Sequence, residues 1–422
     1  MPAKKKRLLS PLLLWFMGTM ILANISAQMI MPLESLYVQE LGASVEQVGL
    51  FFTIAAIAPL CFQIFGGWLS DSVGRLQAIA IGSVSGAFSY LFYLLAPSWI
   101  WLLPASILTS MAVAFVSPSF QAFVAEESSE ETRGRVYGIT STMYMVVGIV
   151  GPLLGGLVAQ GLSYRAMYAV AGCLYLTAAV IRVGMARYAS RRRRASGKTV
   201  EKPSLTGFRK SLAAVFGLLL AGGVVTWIFI SDGVRDVAFN LVDRLMPLYL
   251  ENEIGLSLLQ ISALQSITAV VAMAFMSPAG WLADKKGERV GIVGGFGLIS
   301  IAWCVFLTGT SFWHFILSRV VMGVGWALID PAYSSLISKA VPNRLRGTAF
   351  GLFSTSLGLI SLPAPYIGAW LWESVSPIFP FYVPLVAMVA VLPIMWIKFK
   401  LPSGSGGAAV MADEAQADAT PW

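Results

Sequence analysis

The chain has 422 residues, of which 57% are hydrophobic and only 12% are charged, and its mean hydropathy is +0.75. A soluble globular domain needs roughly 25% charged residues to cover its surface, so this composition excludes a soluble protein and leaves lipid as the solvent for most of the chain. The net charge of +8 does not indicate a nucleic-acid partner, because the basic residues lie in short runs between long apolar stretches, as in membrane proteins.

The N-terminal end of the chain is basic and leads directly into an apolar stretch. Residues 1–7 hold four Lys or Arg residues, and the apolar run at 8–31 is longer than the apolar core of a signal peptide. No small-residue cleavage site follows this run. We therefore expect a first transmembrane helix that is retained.

Twelve apolar stretches are long enough to cross a membrane, since about 20 residues of helix span the ~30 Å of hydrocarbon. We number them spans 1 to 12, and they form two sets of six. The predicted spans are 11–33, 47–69, 76–96, 99–125, 136–160, 164–186, a segment within 211–250, 257–283, 290–309, 312–338, 347–372 and 377–397.

The distribution of Lys and Arg predicts the orientation. With the N-terminus in the cytoplasm, 24 of the 29 basic residues fall on the cytoplasmic side, whereas the outer loop 34–46 has three acidic residues and no basic one. We therefore predict a multi-pass protein of the cell membrane with both termini in the cytoplasm. Its predicted parts are an N-terminal six-helix bundle (1–186), a cytoplasmic linker (187–210), a C-terminal six-helix bundle (211–400) and a disordered tail (401–422).

The turn between spans 2 and 3 combines glycines with charges. Gly67 allows close helix approach, and Gly74 permits a tight turn. Asp71 and Arg75 place charges at helix ends. An ordinary solvated turn is the alternative interpretation.

Span 5 has small residues at helical spacing. Gly148, Pro152 and Gly156 recur every fourth residue, and Gly151 with Gly155 forms the neighbouring row. A surface without side chains allows another helix to pack closely, as in many membrane proteins. Generic small-residue packing is therefore the alternative to a functional motif.

Span 7 is unusually polar. Asp232, Asp236, Asn240 and Asp243 fall on one face at 100° per residue. Arg235 lies close enough to Asp232 to pair with it. This pattern predicts a polar stripe, and Asn240 is a candidate for the wall of a substrate cavity.

The position of this stripe depends on which residues form span 7. If the apolar run 211–230 crosses the membrane, the stripe lies outside. The match of residues 247–248 with residues 32–33, at the outer end of span 1, favours a stripe inside the membrane. Asn24 and Gln28 of span 1 are then the matching uncharged candidates for the cavity wall.

Span 10 contains two charged residues, Arg319 and Asp330. They lie eleven residues apart, about 16 Å along a helix on nearly the same face, so they cannot pair directly but can line one cavity. A carboxylate in hydrocarbon is costly and normally faces the bundle interior, where it titrates or binds. We take Asp232, Asp236, Asp330 and Arg319 as candidates for proton coupling, with a structural salt bridge as the alternative for Asp330.

Over about 90 residues the two halves of the chain match at a constant offset of 213 residues, whereas the first helices match at an offset nearer 215. Because this offset spans six helices, both halves enter the membrane from the same side and form a parallel repeat. Such a repeat places a cavity between its two halves. A transporter needs this symmetry, whereas a receptor or a membrane enzyme does not. Matched pairs include Gly67 with Gly280, Asp71 with Asp284, Gly74 with Gly287, Pro118 with Pro331, Pro152 with Pro365 and Gly155 with Gly368.

Three segments resemble signatures of the major facilitator superfamily. Residues 66–75 resemble its loop motif between helices 2 and 3, and residues 279–289 are similar to the second-half copy of that motif. Residues 148–156 resemble the helix 5 signature of drug–proton antiporters. The segment around Arg319 resembles a motif usually found in helix 4, where this chain has Ser106 instead.

The resemblance implies a fold and several residue roles. The fold is all-α, with twelve transmembrane helices in two six-helix bundles related by a parallel pseudo-repeat. The loop motif implies a conformational latch of the outward-open state, and the helix 5 motif implies protection against leak. The implied latch residues are Gly67, Asp71, Gly74 and Arg75, with Asp284 and Gly287 in the second copy, where Glu288 replaces the arginine.

These features predict a secondary active transporter that works by alternating access. The favoured function is proton-coupled efflux (antiport) of small, amphipathic or drug-like molecules, and the alternative is a proton-coupled solute uptake symporter. No catalytic residue, metal site or cofactor is predicted, since the cysteines and the single histidine are scattered and no P-loop is present. The expected partners are the substrate, protons and the lipid bilayer, without nucleic acid, and a monomer is expected.

Overall fold

The computed structural model describes residues 11–62, 74–128, 132–196, 224–340 and 358–399. Every regular element in these ranges is a helix, which confirms the all-helical fold class for this part of the chain. Helices are expected because hydrocarbon offers no hydrogen bonds to the backbone, so each N–H and C=O must be satisfied within its own segment.

Fourteen α-helices are described, and we number them in chain order. Two 3₁₀ turns, Trp99–Trp101 and Phe379–Phe381, precede α5 and α14. The helices are α1 Pro11–Ile30, α2 Glu34–Glu40, α3 Val45–Ala55, α4 Arg75–Leu95, α5 Leu102–Glu127, α6 Arg133–Gly161, α7 Tyr164–Ser196, α8 Val224–Asp243, α9 Met246–Asn252, α10 Leu258–Lys286, α11 Glu288–Leu307, α12 Phe312–Ala340, α13 Ala364–Ser374 and α14 Tyr382–Lys398.

Ten helical stretches in the described ranges are long and apolar enough to cross a membrane. They coincide with ten of the predicted spans. The other two predicted spans correspond to α8, which carries four charged residues, and to α13, of which 11 residues are described. The total of twelve spans stays a prediction.

One compact unit combines the described residues within Met1–Pro203, Asp243–Ala269 and Pro365–Pro377. Within it α1 packs against α6 and α7, and α4 packs against α5 and α7. The core at one end of α1 is aromatic: the ring centroids of Phe16 and Phe120 are 5.5 Å apart.

The second compact unit combines the described residues within Ser204–Val242, Val270–Ala364 and Ile378–Trp422. Here α11 packs against α12 and α14. Trp303 of α11 is fully buried, with its ring centroid 5.4 Å from that of Phe306 and 5.9 Å from that of Phe239 on α8. An aromatic core therefore fixes α8 against α11.

The helix α7 extends beyond its predicted end at 186 and continues to Ser196. Ala and Arg dominate this extension, and both residue types favour helix. Residues 187–196 of the predicted linker are therefore helical.

Candidate functional site

The central charges of α8 form an ion pair. Arg235 Nη1 lies 2.8 Å from Asp232 Oδ1, and Asp232 is only 7% exposed. The guanidinium carbon of Arg235 also lies 5.9 Å from the ring centroid of Trp326 and 5.8 Å from that of Tyr333, both on α12. The pairing expected from the spacing is present, and the rings of α12 stabilise the arginine.

The polar face of α8 runs from buried to exposed surroundings. Asp236 is half-buried, and its Oδ2 accepts a hydrogen bond of 2.9 Å from Ser361 Oγ. Asn240 is exposed and donates to the backbone carbonyl of Asp236 at 2.9 Å, so its amide is engaged with its own helix. Asp243 is exposed at the helix end.

The charged candidates of α12 lie in two separate places. Arg319 is 9% exposed, with its Nη1 3.6 Å from Met322 Sδ. Asp330 is exposed and lies within electrostatic range of Arg235. The structure therefore groups Asp330 with the charges of α8. We call the group Asp232, Arg235, Asp236 and Asp330 the α8–α12 charge cluster.

The two polar candidates of α1 have different neighbours. Asn24 Nδ2 donates to the carbonyl of Met20 at 2.8 Å, and Asn24 borders a small, mostly apolar cavity in the first unit. Gln28 packs against Gly151 of α6. The cavity is lined by Met17, Met20, Ile21, Asn24, Phe120, Thr140, Met143, Tyr144 and Val147.

Arg182 of α7 is a buried charge that the sequence pattern did not single out. It is 2% exposed, and its Nε donates to Thr19 Oγ1 at 3.1 Å. Its Nη1 donates to Ser83 Oγ at 3.0 Å and its Nη2 to the carbonyl of Thr19 at 3.2 Å. Arg182 thus joins α1, α4 and α7. The available signal was a single basic residue inside an apolar span, which is costly unless it has partners.

One glycine row of α6 receives α1. A β-carbon on Gly151 would collide with Gln28, and a β-carbon on Gly155 would collide with the backbone carbonyl of Met29. Pro152 lies buried between these two glycines. Only glycine permits this close approach of the two backbones.

The other row of α6 receives α10. A β-carbon on Gly156 would lie 2.7 Å from Ser262 Cβ, whereas one on Gly148 would meet only Ala269 Cβ at 4.0 Å. The antiporter-type motif is therefore a two-sided packing surface, tight at one end and looser at the other.

Part of the first predicted latch is described. Gly67 and Asp71 lie outside the described residues. Gly74 has φ +102°, a conformation that favours glycine, and Arg75 begins α4 immediately after it. Arg75 Nε donates to Glu126 Oε1 at the end of α5 at 3.1 Å.

The second copy of the turn has the same backbone form. Gly287 has φ +87°, and Glu288 begins α11. The Glu288 carboxylate pairs with Lys339 at the end of α12 and accepts a hydrogen bond of 2.8 Å from Ser335. Asp284 is exposed.

A further ion pair lies within the first unit, at the junction between α8 and α9. Arg244 Nη1 lies 3.3 Å from Glu34 Oε2, and the Tyr93 hydroxyl donates to Glu34 Oε1 at 3.1 Å. The guanidinium carbon of Arg244 lies 4.6 Å from the ring centroid of Phe52. The charge of Glu34 is therefore compensated locally.

The two short helices α2 and α9 meet beside this pair. Asn252 Nδ2 donates to Gln39 Oε1 at 3.2 Å. Burial raises the pKa of the Glu40 carboxyl, against the opposing effect of Arg165. Burial also raises the pKa of Glu251, and the negative charge of Glu40 adds to the effect.

No group of three His, Cys, Asp or Glu side chains within the described part of the chain is placed to hold a metal ion. Cys61, Cys173 and Cys304 are free and exposed. The described part of the chain contains ion pairs between helices and close contacts between helix backbones. Both features suit a protein that binds a ligand and changes conformation.

Comparisons with known proteins give the family. The Major Facilitator Superfamily profile matches residues 16–242 and 228–422, which together cover most of the chain. A multi-drug resistance efflux pump PmrA homolog of Lactococcus lactis is 24% identical over 344 residues, 80% of this chain and 83% of the relative. A Na⁺, Li⁺, K⁺/H⁺ antiporter of Planococcus maritimus is 24% identical over 380 residues, 81% of this chain and 85% of the relative.

A solved structure supports the fold independently. The crystal structure of a D-xylose-proton symporter superposes with a TM-score of 0.68 at 16% identity, covering 94% of this chain and 98% of the symporter. At this identity the likeness concerns the fold alone. The profile match over both halves, together with the helical architecture, shows that this chain is a multi-pass membrane transporter, not an enzyme, and belongs to the Major Facilitator Superfamily.

Proposed function

We propose that this protein exports small, amphipathic or drug-like molecules in exchange for protons by alternating access. In this proposal twelve spans form two six-helix bundles, 1–186 and 211–400, in the cell membrane with both termini in the cytoplasm. The relatives described as a drug efflux pump and as a cation/proton antiporter support antiport. The antiporter-type motif at 148–156 supports it as well.

The observation that carries the proposal is the charge balance of the α8–α12 charge cluster. The Asp232 carboxylate contacts the Arg235 guanidinium, Asp236 lies within electrostatic range of Asp232, and Asp330 lies within electrostatic range of Arg235. With three carboxylates and one guanidinium, the fully ionised cluster has an excess of two negative charges. Arginine stays protonated in proteins, and uncompensated negative charge within a membrane protein is costly. Binding a proton, or a substrate with a cationic or hydrogen-bonding group, relieves that cost.

This balance suggests how exchange is coupled. Proton and substrate compete for the same excess negative charge, so the cluster carries one or the other. Asp330 is exposed and forms no close ion pair with the residues that the structure describes, so we assign it as the first proton acceptor. Asp232 forms an ion pair with Arg235, and Asp236 accepts a hydrogen bond from Ser361. We therefore assign these two carboxylates to setting the charge of the cluster, and Asp330 to exchanging the proton.

The test uses purified protein in proteoliposomes with an imposed pH gradient and a panel of drug-like probes that includes ethidium. Asp330→Asn should abolish gradient-driven transport while retaining counterflow of the probe. Asp243→Asn is the control, because Asp243 is an exposed carboxylate at the end of α8 and is not a member of the α8–α12 charge cluster. Full gradient-driven transport in Asp232→Asn, Asp236→Asn and Asp330→Asn alike would place the coupling site elsewhere.

The direction of transport is tested separately. In everted vesicles an exported probe should dissipate the pH gradient when it is added to an energised membrane. The alternative, a proton-coupled uptake symporter, predicts that the substrate instead alkalinises the weakly buffered medium around whole cells. Alkalinisation would overturn the efflux assignment and leave the family unchanged.

A further inference from the structure

The two predicted latches contain equivalent ion pairs with exchanged charges. At the repeat offset of 213 residues, Arg75 corresponds to Glu288 and Glu126 corresponds to Lys339. Both pairs are formed: Arg75 with Glu126, and Glu288 with Lys339. The repeat thus keeps the contact and reverses its polarity.

The preceding glycines show that the two sites are equivalent in backbone. Gly74 has φ 102° and ψ 152°, and Gly287 has φ 87° and ψ 155°. In each case the next residue begins a helix, and its partner lies in the last turn of the following helix. The difference between the two pairs therefore lies in their charges and not in their geometry.

The exchange of charges matters because helix ends carry partial charges. A helix N-terminus is positive and favours an acid, and a C-terminus is negative and favours a base. Glu288 at the start of α11 and Lys339 at the end of α12 satisfy both preferences. Arg75 at the start of α4 and Glu126 at the end of α5 oppose both.

The surroundings add to this difference. The Glu288 side chain is 14% exposed and accepts a second bond, from Ser335 at 2.8 Å. The Glu126 side chain is 58% exposed. Exposed pairs are screened by water and contribute little to stability, whereas a shielded carboxylate with two donors is held more firmly.

We propose that the two pairs have divided roles: Arg75–Glu126 breaks and reforms during transport, and Glu288–Lys339 is a permanent staple between α11 and α12. The proposal rests on the proposed transport function, since it assigns one pair to a moving part. The second copy of the latch motif is then no longer a latch, and its loss of the arginine is functional.

Stability of the purified full-length protein in detergent tests the staple without any transport assay. The double variant Glu288→Lys with Lys339→Glu keeps the pair but opposes both helix ends, and should lower the unfolding midpoint by about 2 °C or more. The matched swap Arg75→Glu with Glu126→Lys should leave the midpoint unchanged or raise it. A fall of equal size in both swaps would overturn the assigned difference.

Cross-linking tests the moving pair. In a background without native cysteines, a short thiol cross-linker between Arg75→Cys and Glu126→Cys should abolish ethidium transport in proteoliposomes. The same cross-link between Glu288→Cys and Lys339→Cys should leave transport intact. Loss of transport only on cross-linking 288 to 339, or equal loss in both, refutes the division. If the uncross-linked protein moves no probe, the proposed function fails, and the stability comparison still decides the charge argument.

Discussion

At the scale of single residues, Arg182 shows how a charge is accommodated inside an apolar bundle. Its guanidinium makes hydrogen bonds to hydroxyl and carbonyl oxygens of Thr19 and to the hydroxyl of Ser83. A planar fork with five donors can satisfy several acceptors at once, which a lysine ammonium cannot do in the same geometry.

We expect Arg182→Lys to lower the free energy of unfolding by about 1–3 kcal/mol, because it leaves buried hydroxyl and carbonyl groups without their donors. The unfolding midpoint of the purified protein measures this loss. Arg187→Lys is the control, since Arg187 lies exposed on the same helix. An unchanged midpoint in Arg182→Lys would show that charge alone, and not the fork, is needed at this position.

At the scale of elements, the glycine rows of α6 determine how closely its neighbours approach. Gly155→Ala would push a methyl group into the carbonyl of Met29 and should destabilise the α1–α6 contact by about 1–3 kcal/mol. Gly148→Ala meets only Ala269 Cβ at 4.0 Å, so it should be tolerated. Unfolding midpoints and transport rates of the two variants provide the comparison.

The same pair of variants separates packing from a role in the transport cycle. If Gly148→Ala keeps its stability but loses transport, the looser row closes further in another conformation. If Gly155→Ala is as stable as the unmodified protein, the tight contact between α1 and α6 is not a source of stability.

At the scale of the whole molecule, the acids beside α2 and α9 predict a pH dependence. The pKa of Glu40 and of Glu251 is raised above the ordinary value of 4.5, chiefly by burial. The folded protein therefore holds more protons than the unfolded chain between the ordinary and the raised pKa. Stability should consequently rise as the pH falls through the raised pKa towards 4.5.

Thermal unfolding at about pH 7 and about pH 5 measures this effect. The double variant Glu40→Gln with Glu251→Gln should depend less on pH than the unmodified protein, because it lacks both titrating groups. An equal pH dependence of the two proteins would assign the effect to other carboxylates.

The predicted topology is also a property of the whole molecule. In a background without native cysteines, a cysteine at Glu253, which lies exposed just after α9, should react with an impermeant maleimide on intact cells. A cysteine at Lys198, in the predicted cytoplasmic linker, should react only after the membrane is opened. The reverse labelling pattern would invert the assigned orientation.

The candidate site was predictable where one helix contains both partners. The pairing of Asp232 with Arg235 follows from their spacing of three residues, and the polar face of α8 follows from helical periodicity. The grouping of Asp330 with that pair depends on how α12 packs against α8. That packing involves residues about 100 positions apart, which no local pattern records.

The sequence by itself determined the helical membrane class and ten of the spans that are now seen as helices, because lipid selects for local apolar composition. The repeat of two six-helix bundles stays a prediction. Only the tertiary structure decided which helix packs against each glycine row of α6, which groups surround Arg182, and that Glu288 forms an ion pair with Lys339. Hydropathy says that a segment is in the membrane but not which face meets which neighbour. That choice depends on shape and charge between distant segments.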